Sequence, residues 1–145
     1  MSDRDELITR LRSALHDPNG VVWNAAELDE ALRQALADLA ACAAQSWLLG
    51  GLDGAAASNF PLVYQALLTR GALGYALLAC AAERVHTFGG SEASAAALAA
   101  GKAHLERFSA GLARLPDYRA QSLQSAEQPP YPSAGGWQLP DGEQP

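Results

Sequence analysis

Apolar residues recur through most of the chain at the three- and four-residue spacing of amphipathic helices. Leu7, Ile8, Leu11 and Leu15 share one face of a first predicted helix, from about Asp3 to Leu15. A second is predicted from Ala25 to about Ala44. Leu28, Leu32, Ala35, Leu36 and Leu39 form its inner stripe, and Glu27, Glu30, Arg33, Gln34 and Asp38 its wet face. Gly50 to Gly54 read as a loop. A third helix is predicted to begin near Asn59-Phe60-Pro61 and to run to about Val85, roughly 40 Å at 1.5 Å per residue. His86 to Gly90 break the pattern, and Ser91 can cap a fourth helix reaching about Leu115, before Pro116.

Two stretches depart from simple amphipathicity. Between Leu39 and Ala82 the only charged residues are Asp53 and Arg70. Leu62, Val63, Tyr64, Leu67, Leu68, Leu73, Tyr75, Leu77 and Leu78 go right round the third helix, which predicts a helix buried on every side. That fits a central core helix, and it also fits a helix partly covered by a second copy. Gly71, Ala72, Gly74, Ala76 and Ala79 permit close helix approach in either case. The second stretch is the C-terminal end. Six of the eight prolines lie from Pro116 onward, among Gly, Gln and Ser. We therefore expect a helical domain over residues 1–115 and an extended tail over 116–145. Tyr118, Leu123, Tyr131, Trp137 and Leu139 are spaced apolar anchors in that polar tail, and its composition fits both disorder and docking on a partner.

The join between the first two helices is dense in local signals. Asp17-Pro18-Asn19-Gly20 is turn chemistry, with Pro18 fixing φ and Asn19 and Gly20 tolerating positive φ. Asn24 and Glu27 have the spacing of a capping box, and Trp23 and Leu28 that of a hydrophobic staple. Trp23 is expected to be a core anchor.

Composition narrows the class. The 145-residue chain is rich in Ala and Leu and poor in β-branched residues, which predicts an all-α fold, a four-helix bundle with a long third helix. Cys42 and Cys80 lie in apolar runs and are expected to be buried free thiols. The longest charge-free stretches carry Gly, Ser, Gln, Asn or Pro, and none makes a convincing membrane span. The short, charged N-terminus does not read as a signal peptide. Net charge is −6 and uneven: residues 1–58 carry nine acids and four bases, 59–119 four acids and six bases, and 120–145 three acids and no base. Without a basic cluster, direct reading of nucleic acid is not expected. A repulsive wall lining a channel for DNA remains compatible.

No catalytic set emerges. His16, His86 and His104 lack metal-binding spacing, and the two cysteines do not form a CxxC pair. Gly50-Gly51 and Gly89-Gly90 follow no plausible strand and make no phosphate loop. Glu27, Asp29 and Glu30 read as a solvated face near a helix start, and His16 as a solvated residue at a helix end. We expect no enzyme, no cofactor and no metal.

Taken in order, Asp17, Pro18, Gly20, Trp23, Glu27, Leu28, Asp29, Ala31, Leu32, Arg33, Ala35 and Leu36 resemble the helical head–tail connector (adaptor or neck) proteins of tailed bacteriophages and phage-derived particles. Arg70 to Leu77 and Leu105 to Leu112 are similar to the second half of these connectors, so the resemblance covers about residues 7–115. Ala25 and Ala26 depart from the acidic residue that connectors often carry after the cap. The resemblance implies a structural subunit, present as a twelve-fold ring of neighbouring copies beneath the portal protein. Such a ring extends the DNA channel, lets DNA pass without specific binding, and docks the next neck or tail protein. It implies assembly in the host cytoplasm and a final place in the virion neck, with no membrane. Tyr118, Tyr131, Trp137 and Leu139 would contact another subunit or the portal. The alternative is a small soluble helical protein-binding module whose tail recruits a host or regulatory partner; a ring of fixed stoichiometry on a portal separates the two.

Overall fold

Residues 3–88 and 92–116 are described by a computed structural model, and they form four α-helices and one 3-10 turn. Helix α1 spans Asp3–Ala14 and α2 spans Ala25–Ala43. The 3-10 turn, Leu62–Tyr64, leads into α3 (Gln65–Phe88), and α4 spans Glu92–Ala113. No strand occurs among the described residues, and the fold is all-α.

The first two helices follow their apolar stripes closely. Leu7, Ile8 and Leu11 of α1 are buried, as are Leu28, Ala31, Leu32, Ala35, Leu36 and Leu39 of α2. Both helices end on a left-handed residue that is not glycine, His16 (φ 55) after α1 and Ala44 (φ 50) after α2. In each case the next N–H reaches back five residues, from Asp17 to the Arg12 carbonyl at 2.9 Å and from Gln45 to the Ala40 carbonyl at 3.1 Å. These bonds satisfy carbonyls that a helix end otherwise leaves open.

Helix α3 lies between α2 and α4 and also touches α1. It starts later than the sequence pattern predicts, because Pro61 leads into a 3-10 turn, with the Tyr64 N–H on the Pro61 carbonyl at 3.1 Å. It also runs on to Phe88, through the expected break at His86. The expectation that it is buried on every side is corrected. Leu68, Ala72, Ala76 and Ala81 are buried, but Ala66, Arg70, Ala79 and Ala82 are exposed. Leu62 and Val63, in the 3-10 turn, are 81% and 78% exposed. Three neighbouring helices cover only part of the circumference, and the uncovered positions within the helix are mostly alanine. By length and composition alone Leu62–Glu83 suffices to cross a bilayer, yet one face of it is the core contact with α2 and α4. The cysteine expectation also changes: neither cysteine forms a disulfide among the described residues, but Cys42 is exposed on the last turn of α2 and Cys80 is only half-buried. The expected Ser91 cap and the tail anchors Tyr118, Leu123, Tyr131, Trp137 and Leu139 lie outside the described residues.

Small residues set the spacing of α3 and α4. A Cβ at Gly71 would sit 2.8 Å from the Phe108 ring and 3.0 Å from the Ala35 Cβ, so α2, α3 and α4 meet at this point. One at Gly74 would lie 2.7 Å from Leu105 and 3.2 Å from the Gly101 carbonyl. Leu67 faces Gly111 in the same way. Partners fall in α4 as positions rise in α3, so the two helices run antiparallel.

Gly71 and Gly111 should therefore respond differently to alanine. At either site alanine gains up to about 1 kcal/mol of helix propensity. At Gly71 the crowding falls on a buried, rigid ring, and overpacking of about 1–3 kcal/mol should win. At Gly111 the close atom is the end of the half-buried, flexible Leu67 side chain, which can turn aside. Urea denaturation should rank Gly71→Ala below wild type and Gly111→Ala at or above it; a stabilised Gly71→Ala contradicts this packing.

Candidate interaction surface

The join between α1 and α2 is organised by one side chain. Asp17 is buried at 6% exposure, and its carboxylate accepts the backbone N–H groups of Val21 (2.8 Å), Val22 (2.9 Å) and Trp23 (2.9 Å). Gly20 closes the turn at φ 66, with its N–H on the Asp17 carbonyl at 3.1 Å. A Cβ there would be strained and would also lie 2.8 Å from the Arg12 guanidinium. The Trp23 N–H, helped by those of Val21 and Val22 and by the charge of Arg12, holds the Asp17 carboxyl below the ordinary carboxylate range, against the opposing effect of burial.

The turn delivers Trp23 to the core. The ring is 9% exposed, and its Nε1 donates to the Ala76 carbonyl of α3 at 3.2 Å. The next residue starts α2. Asn24 Oδ1 accepts the Glu27 N–H at 2.9 Å, and Glu27 Oε2 accepts the Asn24 N–H at 2.7 Å, a reciprocal capping box. Leu28, in the following turn, is fully buried in the same core as Trp23.

Residues 44–61 are more than a connector. Leu49, Leu52 and Phe60 enter the core, and Trp47 packs edge-on against Phe60 at 5.4 Å and tilted against Tyr64 at 5.5 Å. Asn59 ties the loop to itself, accepting the Leu48 N–H at 2.6 Å and donating to the Ser46 carbonyl at 3.2 Å. Arg33 of α2 grips Asp53 in the loop, with Nη2 to Oδ1 at 2.6 Å, and also pairs with Glu30. Arg4 of α1 forms a two-pronged pair with Asp29 of α2, both contacts at 2.7 Å, and its N–H binds the Gly50 carbonyl at 3.1 Å. The side-chain bond to Asp29 raises the Arg4 pKa. These long-range partners have no local sequence signal. The loop's role does have one, in the bulky Trp47, Leu49, Leu52 and Phe60 of a stretch that otherwise reads as a turn.

One opening in the surface lies where α3 begins and α4 ends. A cleft of about 460 Å³ is lined by Val63, Tyr64, Ala66, Leu67, Arg70, Gly111, Arg114 and Leu115. Its lining is apolar apart from the Tyr64 hydroxyl and two arginines, and contains no acid. Elsewhere, Val21 stands 84% exposed at the tip of the α1–α2 turn.

Titratable groups are scattered. Tyr75 of α3 donates its hydroxyl to Asp38 of α2, and burial followed by this bond pushes its pKa up to about 12. Burial, then the charges of Arg107 and Arg70, lowers the His104 pKa, and its buried Nδ1 has no partner among the described residues. His16 is exposed on its turn. Among the described residues no group of three or more His, Cys, Asp or Glu side chains comes together to hold a metal ion. No protein-family model matches the chain, and no curated protein or solved structure matches it.

Two outcomes follow from the hairpin. Trp23→Ala should cost on the order of 3–5 kcal/mol as a core truncation, and Asn24→Ala about 1 kcal/mol through the lost cap. A denaturation midpoint for Trp23→Ala near that of wild type removes Trp23 as the anchor. Because the Asp17 pKa is depressed on folding, its stabilisation is fully present above the unfolded value of about 3.9 and is lost as pH falls through the folded value. Asp17→Asn should therefore flatten the loss of thermal stability seen in wild type below about pH 4; an acid limb unchanged by this substitution contradicts the assignment.

Proposed function

We propose that this protein is a structural subunit of the neck of a tailed phage or phage-derived particle, forming a ring beneath the portal protein. The observation that carries the reading is the α1–α2 hairpin. The residues through which the sequence resembles head–tail connectors build one mechanical unit: Asp17 and Gly20 shape the turn, Trp23 bolts it to α3, and Asn24 with Glu27 starts α2. A rigid wall element of this kind suits a subunit whose task is geometric. By the same resemblance the ring is twelve-fold, extends the DNA channel and docks the next neck or tail protein.

Charge supports the channel role. The front of the chain keeps a net excess of acid even though Arg4, Arg10 and Arg33 are held by neighbouring carboxylates. Acidic residues facing the lumen would let DNA slide without sticking. The chemistry is structural, with no reaction assigned to it, and the site of action is the virion neck after assembly in the host cytoplasm.

The direct test is removal. A particle-producing strain lacking this protein should accumulate DNA-filled heads and separate tails, and adding the purified full-length protein should restore joining. Normal, complete particles in its absence would overturn the reading.

A further inference from the structure

The cleft between the start of α3 and the end of α4 is poorly explained by the bundle itself. Val63 on its wall is 78% exposed, next to Leu62 at 81%, although apolar side chains lose favourable burial when left in water. Arg70 and Arg114 line the same cleft and are both exposed, with no acid beside them in its lining. The cleft therefore presents an apolar strip bordered by positive charge, and fits an extended segment with apolar anchors and acids.

The chain contains one such segment. Beyond residue 120 it carries Glu127, Asp141 and Glu143, no base, and the anchors Tyr131, Trp137 and Leu139. Aromatic anchors bury much area with few rotatable bonds to freeze. Length indicates whose cleft they reach. The tail leaves the fold beside Leu115, on the rim of its own cleft. Tyr131 to Leu139 lie 15 to 23 residues beyond Pro116, an extended reach of roughly 50–80 Å. Pro129 and Pro130 just before Tyr131, and Pro132 just after it, favour extension at the first anchor. That reach suits a neighbouring subunit better than a return to the starting point.

We propose that the C-terminal tail of one copy docks in the α3–α4 cleft of a second copy, with Tyr131, Trp137 and Leu139 against Val63 and Leu67 and the tail acids against Arg70 and Arg114. The proposal rests on the ring reading for the presence of a neighbour. It adds the device that links neighbours, a strap passed from each subunit to the next.

Charge exchange between full-length chains tests it. Sedimentation at low salt should show concentration-dependent self-association of the wild type, weakening as salt rises. Arg70→Glu with Arg114→Glu should weaken association at least about tenfold, and so should Glu127→Lys, Asp141→Lys and Glu143→Lys together. Circular dichroism should show both variants as helical as the wild type. Mixing the two variants should restore association, because each cleft then meets a tail of opposite charge. A wild type that stays monomeric, or association indifferent to the cleft charges, overturns the proposal. So does a mixture that fails to recover, which would follow if each tail served its own cleft. The ring reading has a separate fate: copies ringing a portal with empty clefts would end the strap and leave the ring, and successful charge exchange by a protein missing from particle necks would do the reverse.

Discussion

The Asp17 carboxylate gathers three backbone N–H groups, and the direction in which Trp23 leaves the turn follows from that. Buried donors without partners are costly, and a tight turn between helices exposes several at once. One carboxylate satisfies them together, and they in turn hold its pKa below the ordinary carboxylate range. Trp23 is then aimed at α3, where its indole N–H finds the Ala76 carbonyl. The angle between α1 and α2, the start of α2 at Asn24 and the docking of both helices on α3 are consequences of this arrangement.

Helix α3 is the element on which the other three converge, and small residues allow it. Gly71 and Gly74 bring α4 close enough for Phe108 and Leu105 to fill the gap, while Ala35 of α2 closes the same point from the other side. The loop 44–61 adds Leu49, Leu52 and Phe60 to the core and packs Trp47 against it. That leaves uncovered the region where the 3-10 turn and the end of α4 form the arginine-bordered cleft.

Local grammar made much of this legible. The stripes of α1 and α2, the Asn24–Glu27 pair and the core position of Trp23 follow from spacing within a few residues, where sequence and geometry are tightly coupled. Asp17 read only as a turn former, because its burial depends on Arg12 and on the path of residues 20–23. The apolar circumference of α3 suggested full burial, but composition cannot say how many neighbours a helix will have. The Gly-rich run at 50–54 suggested a plain loop, and the bulky residues around it were the overlooked sign of a packed one. Arg4–Asp29 and Tyr75–Asp38 join residues far apart in sequence, and nothing local announces them. The cleft was equally invisible, since it exists only once α3 and α4 lie antiparallel.

A hairpin held by Asp17 and Trp23, a central helix packed through glycine and an excess of acid at the front suit a part whose work is to hold shape around a channel. The functional account stands on those features together with the resemblance of the hairpin to phage connectors. Cryo-electron microscopy of the neck of native particles tests its central claim most directly. The account predicts a closed ring of copies beneath the portal, with Asp and Glu dominating the lumen. A single copy at that position, no copy at all, or a lumen lined mainly by Arg and Lys would contradict it.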